Sequence, residues 1–213
     1  MNKNLVVITC ALNVQKDSVF SLQERFQQVF MSIESVRRKI PNSFIVLLEV
    51  GTAPDELASF LKQHVDEYFI MNVADLNKNQ GEATMMYRFL KSELFTGIRS
   101  QFTHFNKLSG RYFLNDEFDF NRYDLEKVLI KHRLGESGEG LFETRYFRIP
   151  MNHIDSFIEK YDILMNEKID ALDYDDVEHI YYRQGFFTLE NTIHNVPIYV
   201  SGWISGSGHF ITD

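Results

Sequence analysis

The first half of the chain alternates between apolar segments and longer amphipathic ones, and this alternation constrains the fold more than any other feature of the sequence. The runs "LVVITCALN" and "SFIVLLEVG" are rich in aliphatic and β-branched residues, which is typical of strands buried on both faces. Apolar residues recur at helical spacing in residues 22–40 and 55–65. Strands that alternate with helices need crossover connections. We therefore predict an α/β fold in which a central, mostly parallel mixed sheet has helices on both faces.

Local signals predict where several of these elements begin and end. Ser21 and Glu24 have the spacing of a capping box at a helix start, and Pro41 predicts the end of that helix. In the second half, "LEKVLIKH" is predicted to be a short helix, and "LFETRYFRIP" and "VPIYVSGWI" are predicted to be strands. The segment "VEHIYYRQGFF" is predicted to be a helix that ends at Gly185.

Length, charge and cysteine content limit the classes of function. The 213 residues suffice for one well-buried domain. A net charge of -8 argues against duplex nucleic acid as the main partner, because phosphate neutralisation needs a basic face. The single cysteine, Cys10, lies in an apolar run, so the chain has no internal disulfide. This composition favours a reducing compartment, and we expect a cytoplasmic protein.

No apolar run approaches the length of about eighteen residues that a membrane span needs. The start of the chain, "MNKNLVVITCALNV", has a short apolar stretch and no cleavage pattern of small residues, so it is predicted to be a strand rather than a signal peptide. We therefore expect no membrane span. Contact with a membrane would come through a partner or a lipid-linked substrate.

Several familiar motifs are missing from the sequence. The first strand is not followed by G-x-G-x-x-G, and G-x-x-x-x-G-K-[ST] does not occur. G-x-S-x-G and H-E-x-x-H are also absent. These absences disfavour dinucleotide-dependent dehydrogenases, P-loop enzymes, α/β-hydrolases and zinc proteases.

Two polar segments lie where an open α/β sheet binds ligands, at the carboxyl ends of predicted strands. In "NKNQGEA", Lys78 and Gly81 stand at a predicted helix N-terminus, which favours an anion, although an ordinary solvated loop explains the segment as well. In "KLSGRY", a buried strand ends at Ser109, Gly110 and Arg111. The planar guanidinium of Arg111 suits either a phosphate or an ion pair with an acidic neighbour. The acidic neighbours considered for that ion pair are Asp116 and Asp119.

The order of three segments resembles the GT-A glycosyltransferases, particularly their family-2-like members. The segments are "NQGEATMMYRFL", "FNKLSGRY" and "DDVEHIYYRQGFF". In the family they correspond to a helix that opens with N-x-G-x-A, a strand that ends in D-x-D, and an acidic pair that starts a helix. The resemblance spans most of the chain. It implies a GT-A fold whose donor-binding half covers about residues 1–115 and whose acceptor half covers about residues 116–213, either alone or as the N-terminal part of a longer protein.

A narrower resemblance concerns "KLSGRYFLNDEFD", "ETRYFRIP" and "SGWISGSG". These segments are similar to a set of viral and bacterial GT-A proteins that carry S-G-R in place of D-x-D, among them a glycosyltransferase domain of chloroviruses that acts in capsid-glycan synthesis. The resemblance implies a UDP-sugar donor, a glycan or glycoprotein acceptor, and a divalent cation, with manganese the expected ion. If the protein is viral, the compartment is the host-cell cytoplasm. Arg111 cannot ligate a cation, so the replacement of D-x-D puts the metal in doubt.

The resemblance also implies roles for individual residues. Asp175 and Asp176 correspond to the acidic pair, and one of them is the expected catalytic base, although carboxylates at a helix start also serve as ordinary caps. His209 matches the place of a C-terminal metal ligand in some members. The expected donor-nucleotide-binding residues are Thr9, Ala11, Leu12, Asn13, Lys78, Gly81, Ser109, Gly110 and Arg111. The expected acceptor-binding residues are Glu143, Arg145 and Trp203.

Some of these residues have simpler structural explanations. Glu143 and Arg145 can instead take part in a cross-strand ion pair, and Trp203 also suits the core. Two other functions remain open beside hexosyl transfer. One is a non-catalytic domain that binds nucleotide sugars or acts as a scaffold. The other is a sugar nucleotidyltransferase, although the glycine-rich loop expected after its first strand is absent from "ALNVQKDSV".

Overall fold

The structure, a computed structural model, describes residues 3–13, 18–51, 53–73, 76–134, 139–167, 169–173 and 176–213. The α-helices are α1 (Leu22–Lys39), α2 (Asp55–Lys62), α3 (Lys78–Leu90), α4 (Glu93–Ile98), α5 (Ile154–Glu167) and α6 (Val177–Arg183). The strands are β1 (Asn4–Cys10), β2 (Ser43–Glu49), β3 (Glu67–Ile70), β4 (His104–Ser109), β5 (Tyr112–Leu114), β6 (Val128–Leu134), β7 (Gly140–Pro150), β8 (Thr192–Ile193), β9 (Val200–Trp203) and β10 (Phe210–Thr212).

Two sheets organise the described residues. The larger sheet has seven strands in the order β3-β2-β1-β4-β7-β6-β8, and the smaller sheet has the order β10-β9-β5. Strands β3, β2, β1 and β4 run parallel to one another, whereas β7 is antiparallel to both of its neighbours, β4 and β6. The predicted mostly parallel mixed sheet is therefore confirmed. Strands from both predicted halves share it, because β4 pairs with β7.

Each face of the large sheet is covered by its own apolar core. One core holds buried residues of α3, α5 and α6, including Phe89, Phe157 and Tyr181. The other core holds buried residues of α1 and of the small sheet, including Ile33 and Tyr112. Strand β1 contributes to both cores in alternation, as expected for a strand buried on both faces.

The local signals at α1 were predicted correctly. Ser21 accepts a hydrogen bond from the backbone of Glu24, and the Glu24 side chain accepts one from the backbone of Ser21, so the capping box is complete. Hydrogen bonding to Ser21 lowers the pKa of the Glu24 carboxyl group. Helix α6 ends at Arg183, just before Gly185, whose φ of 60° lies in the left-handed region.

The predicted helix in "LEKVLIKH" is wrong, because this segment contributes β6. Val128, Leu129 and Ile130 are all buried, with β7 on one side and β8 on the other. A short apolar run is compatible with either a helix or a buried strand. Pairing with the distant strands β7 and β8 makes this segment a strand. Periodicity within the segment does not reveal that pairing.

Candidate active site

The parallel strands of the large sheet end together at one edge, and the Ser109-Gly110-Arg111 triplet lies there. Thr9 of β1 pairs with Ser109 of β4, and Cys10 pairs with Glu49 of β2. Gly110 N donates a hydrogen bond to Thr9 O at 2.8 Å. A Cβ atom at Gly110 would lie 3.0 Å from Cys10 Cβ and 3.1 Å from Thr9 O. The triplet therefore needs glycine at its centre, because the chain crosses close to the end of β1.

A buried lysine organises the polar groups beside the triplet. Lys107 is 1% exposed, and its ammonium group donates to Ser109 Oγ at 2.7 Å and to the Thr144 carbonyl oxygen at 2.6 Å. It also forms an ion pair with Glu82 of α3. The three donors of the ammonium group are thus all used, as a buried cation requires. Thr144 extends the network, since its hydroxyl donates to Glu178 of α6 at 3.2 Å.

The two carboxylates of this network have opposite pKa shifts. Burial raises the pKa of Glu82, but the charge and hydrogen bond of Lys107 outweigh it, so the net pKa lies below the ordinary value. Lys78 and Arg111 lower it further. Burial also raises the pKa of Glu178, and the carboxylates of Asp176 and Glu82 add to that increase. Glu82 is therefore held ionised, whereas the ionised form of Glu178 is disfavoured.

Two arginines flank the ring of Tyr112 at this edge of the sheet. The guanidinium carbon of Arg111 lies 5.9 Å from the ring centroid, and that of Arg145 lies 5.8 Å from it. Arg111 is partly exposed. It forms no ion pair with Asp116 or Asp119 in the described part of the chain. Asp119 accepts instead from Asn121 N at 2.9 Å.

A third arginine, Arg25 of α1, binds the end of β1. It is buried, and its guanidinium donates to the Ala11 carbonyl oxygen at 2.8 Å. It also donates to Ser18 Oγ at 3.1 Å and to Ser205 Oγ at 2.9 Å. Burial, with a smaller contribution from the charge of Arg111, lowers the pKa of Arg25 to about 10. Arg25 therefore ties the end of β1 to the C-terminal segment of the chain.

The residues predicted to contact the nucleotide at the end of β1 have different environments. Thr9 is buried, and its carbonyl oxygen accepts from Gly110 N, whereas Asn13 is exposed. The Ala11 carbonyl oxygen is occupied by Arg25. Leu12 is fully buried among core residues. Its side chain therefore packs in the core, and its predicted contact with the nucleotide stays a prediction.

The predicted helix start at "NKNQGEA" is α3. Asn77 caps the helix by accepting from Gln80 N at 2.9 Å. Lys78, at the first helical position, is exposed, and its charge acts on both Glu82 and Glu178. Gly81 is buried, and a Cβ atom there would meet only Val73 at 3.9 Å, which is an ordinary contact.

Of the two predicted base candidates, Asp175 lies outside the described residues. Asp176 caps α6 by accepting from His179 N at 3.1 Å, and the same carboxylate oxygen lies 2.7 Å from His179 Nδ1. Its side chain is 45% exposed. Asp176 thus serves as a helix cap at the edge of the polar network, and its role as a base stays a prediction.

The predicted acceptor residues separate into two places. Glu143 is buried and forms ion pairs with Arg145 and with Arg133 on the neighbouring strand, so it is held within an ion-pair cluster. Trp203 is partly exposed on the small sheet and lies outside both apolar cores. His209, the predicted metal ligand, is exposed, and its carbonyl oxygen accepts from Ile204 N at 2.9 Å.

The described residues at the triplet do not fit a divalent cation. Manganese prefers carboxylate and other oxygen ligands, but the triplet offers a hydroxyl already bonded by Lys107 and a cationic Arg111. Lys107 also binds the carboxylate of Glu82. In the part of the chain that the structure describes, no three His, Cys, Asp or Glu side chains come together as a metal site. Manganese binding stays a prediction, and measurements of UDP binding with and without the ion test it.

Several residues at the centre of this site were not assigned a role from the sequence. Lys107 was the most detectable of them, because a lysine inside a strand that is buried along its whole length needs a buried partner. Its partner Glu82 and the flanking Tyr112 had no comparable signal. The remaining residue of this kind is Arg25, which occupies a buried position of α1 where apolar residues are expected.

The sheet order and the flanking helices are consistent with a glycosyltransferase fold. Among solved structures, the glycosyltransferase GlyE of Streptococcus pneumoniae TIGR4 is similar, with a TM-score of 0.53 and 13% sequence identity. The match covers 91% of this chain and 45% of GlyE, so the chain spans less than half the length of that protein. At this identity the likeness shows the fold alone.

No family model matches the sequence, and no curated protein matches it. The predicted fold class is nevertheless confirmed by the sheet topology together with the structural neighbour. The narrower resemblance to viral and bacterial proteins with S-G-R stays a prediction. Over the described residues, no helix combines the length and the apolar composition that a membrane span needs.

Proposed function

We propose that the chain is a glycosyltransferase that moves a hexose or deoxyhexose from a UDP-sugar to a hydroxyl group of a glycan acceptor. The observation that carries this proposal is the concentration of cationic side chains at the carboxyl edge of the parallel strands. Arg111 and Lys78 both act electrostatically on Glu82 at this edge, and Arg25 lies beside Arg111. Open α/β sheets bind ligands at this edge, and a diphosphate needs cationic donors.

In this proposal, Arg111 and Lys78 bind the diphosphate of the donor. A guanidinium can pair with two phosphate oxygens at once, and the ammonium group of Lys78 adds a point charge. The diphosphate gains negative charge as the bond to the anomeric carbon breaks. Cations fixed at the site stabilise that charge without reorganisation, which lowers the barrier to transfer. The buried Lys107 holds Ser109 and Glu82 in place and so positions the triplet.

The transfer step needs a base near the acceptor. The acceptor oxygen forms a bond to the anomeric carbon, the bond to the diphosphate breaks with its electron pair, and a carboxylate takes the hydroxyl proton. Asp176 is the member of the acidic pair that the structure describes. Glu178 follows it by two residues and accepts a hydrogen bond from Thr144. The raised pKa of Glu178 makes its carboxylate a stronger base than an ordinary glutamate once it is ionised. Direct displacement predicts inversion at the anomeric carbon.

Turnover of the donor tests this proposal without knowledge of the acceptor. UDP-, GDP- and CMP-sugars are incubated with the protein, and release of the free nucleotide is measured with and without added glycans. We expect UDP release from at least one UDP-hexose. We expect a decrease of about tenfold or more in Arg111→Ala and Asp176→Asn. Arg38→Ala is the matched control, because Arg38 is exposed near the C-terminus of α1 and donates to the Glu34 carbonyl oxygen of its own helix.

The non-catalytic alternative is favoured by one observation, namely that Lys107 neutralises the carboxylate of Glu82 beside the triplet. Binding of UDP-sugars without any release of UDP, under conditions in which acceptor glycans are supplied, would support a nucleotide-sugar-binding domain. Formation of UDP-sugar from UTP and a sugar phosphate would support a nucleotidyltransferase. Absence of both nucleotide binding and turnover would contradict all three functions.

A further inference from the structure

The small sheet has two faces of different character. On one face Tyr112, Leu114 and Val200 are buried in the core that α1 covers. Successive side chains of a strand point to opposite faces, so Phe113 and Trp203 lie on the other face. The register of β9 with β10 places Phe210 directly opposite Trp203.

The three aromatic rings on this face form one cluster. The ring centroids of Trp203 and Phe210 lie 5.0 Å apart, and those of Phe113 and Trp203 lie 6.0 Å apart. Phe113 and Phe210 close the triangle at 6.2 Å. Phe210 is 52% exposed, and the other two rings are partly exposed. The described part of the chain thus leaves an aromatic surface facing outward, which is uncommon without a binding role.

A row of neutral polar groups lies beside the rings. Asn115 Nδ2 donates to Ser201 Oγ at 3.2 Å, and Ser201 Oγ lies 3.0 Å from the hydroxyl oxygen of Thr212. Ser201 and Thr212 pair directly across β9 and β10. Each hydroxyl group can donate one hydrogen bond and accept two, so Thr212 keeps capacity for a further partner. No charged residue belongs to this row or to the aromatic cluster.

The aromatic surface continues directly into the candidate donor site. Trp203 N donates to the Arg111 carbonyl oxygen at 3.3 Å. One backbone hydrogen bond therefore joins the residue that carries the indole to the last residue of the triplet. Gly202 makes this approach possible, because a Cβ atom there would lie 2.3 Å from the Arg111 carbonyl oxygen. A molecule resting on the rings would therefore lie next to the residue that we assign to the diphosphate.

We propose that the face formed by Phe113, Trp203 and Phe210 binds a neutral sugar ring of the acceptor glycan. This inference rests on the proposed function, since it assigns the second substrate of the same site. A pyranose ring presents an apolar face of C–H bonds, which suits the negative π-face of an aromatic ring. Its hydroxyl groups suit the amide and hydroxyl row. An apolar peptide helix would leave the polar groups of that row without hydrogen-bond partners. An acidic partner would gain no ion pair from the row, because its residues are neutral.

Trp203 is the single tryptophan of the chain, so its fluorescence reports directly on this face. The full chain is titrated with the neutral disaccharides lactose, cellobiose, maltose and chitobiose while the emission of Trp203 is followed. We expect at least one of them to shift or quench the emission in a saturable manner. We expect Phe210→Ser to raise the apparent dissociation constant about tenfold, because one stacking partner is lost.

Two variants separate this inference from the proposed function. Phe60→Ser removes an exposed aromatic ring on α2 and is expected to leave the titration unchanged. Arg111→Ala is expected to weaken UDP binding while disaccharide binding persists. If UDP binds but no disaccharide changes the Trp203 emission, the inference is overturned and the proposed function stands. If disaccharides bind but UDP does not, the face binds sugar and the proposed function fails.

Self-association is the remaining outcome of the test. Sedimentation of the wild-type chain and of Phe210→Ser is measured over a range of protein concentrations. We expect the same sedimentation for both. A dimer that Phe210→Ser dissociates would show that a second copy covers the rings, and it would overturn the proposal.

Discussion

Two cations lie in the centre of the large sheet, and they differ in what they bind. Lys107 of β4 and Arg148 of β7 are each 1% exposed. Asn106 pairs with Arg148, so Lys107, one residue further along β4, points to the opposite face. The guanidinium of Arg148 donates to the backbone carbonyl oxygens of Phe120 and Asp124, both at 2.8 Å. Lys107 instead binds a carboxylate, a hydroxyl group and one carbonyl oxygen.

This difference shows that Arg148 is a structural cation, whereas Lys107 belongs to the candidate site. Arg148 donates hydrogen bonds to backbone carbonyl oxygens of one loop, residues 120–124. These bonds hold the loop without an ionised partner. Burial lowers the pKa of Arg148. Lys107 holds side chains that face the carboxyl edge of the sheet, where ligands of such folds bind. The two faces of the sheet therefore carry buried cations with different roles, one in stability and one in the site.

The largest expected effect concerns the structural cation. Arg148→Met leaves buried backbone carbonyl oxygens of the 120–124 loop without donors, and each such group costs about 1–3 kcal/mol. We expect the free energy of unfolding to fall by about 4 kcal/mol in urea titrations. Arg38→Met, at an exposed arginine, is the matched control and is expected to change it by less than about 0.5 kcal/mol. An unchanged midpoint for Arg148→Met would contradict the structural role.

The next effect concerns the cation of the site. Lys107→Met leaves the partly buried Glu82 without its partner, and we expect the free energy of unfolding to fall by about 3 kcal/mol. Adding Glu82→Gln removes the uncompensated charge, so the double variant should recover most of this loss. Donor turnover should stay reduced in the double variant, because Ser109 has lost its donor. Recovery of both stability and turnover would show that Lys107 has only a structural role, as Arg148 does.

The smallest effect concerns the two carboxylates of the site. The lowered pKa of Glu82 means that its ionised form stabilises the fold above the unfolded-state pKa of about 4.3, and this contribution is lost as pH falls through the lower folded-state pKa. The raised pKa of Glu178 has the opposite effect on stability. Ionisation of Glu178 destabilises the fold, and this loss of stability develops as pH rises from about 4.3 through the higher folded-state pKa.

At pH 7, Glu82→Gln should therefore lower the free energy of unfolding, and Glu178→Gln should raise it. Both differences should shrink as the pH is lowered to about 3. Urea titrations at the two pH values measure the four differences. The same sign for both variants at pH 7 would contradict the opposite environments of the two carboxylates.

Local sequence signals predicted the elements that depend on local chemistry. The apolar run of β1 and the capping box of α1 act within a few residues, and both were found. Strand β6 was missed because its pairing with β7 and β8 is not encoded within the segment itself. The triplet was located correctly at the end of β4, because a polar sequence with glycine ends a buried strand there.

The side chains that complete the site depend on tertiary contacts. Lys107 and Glu82 are 25 residues apart in sequence, and only the packing of α3 against the sheet brings them together. Phe113 and Phe210 meet through the register of three short strands. No periodicity within one segment reports such a contact, which is why the polar network and the aromatic face were not predicted.

The central claim is that the carboxyl edge of the sheet binds the diphosphate of a UDP-sugar through Arg111. Calorimetry of UDP binding to the wild-type chain, to Arg111→Ala and to the control Arg38→Ala, each with and without manganese, tests it most directly. We predict equal affinity with and without the ion, a loss of about tenfold or more in Arg111→Ala, and no change in Arg38→Ala. Failure of UDP to bind, or binding that requires manganese and ignores Arg111→Ala, would contradict the claim.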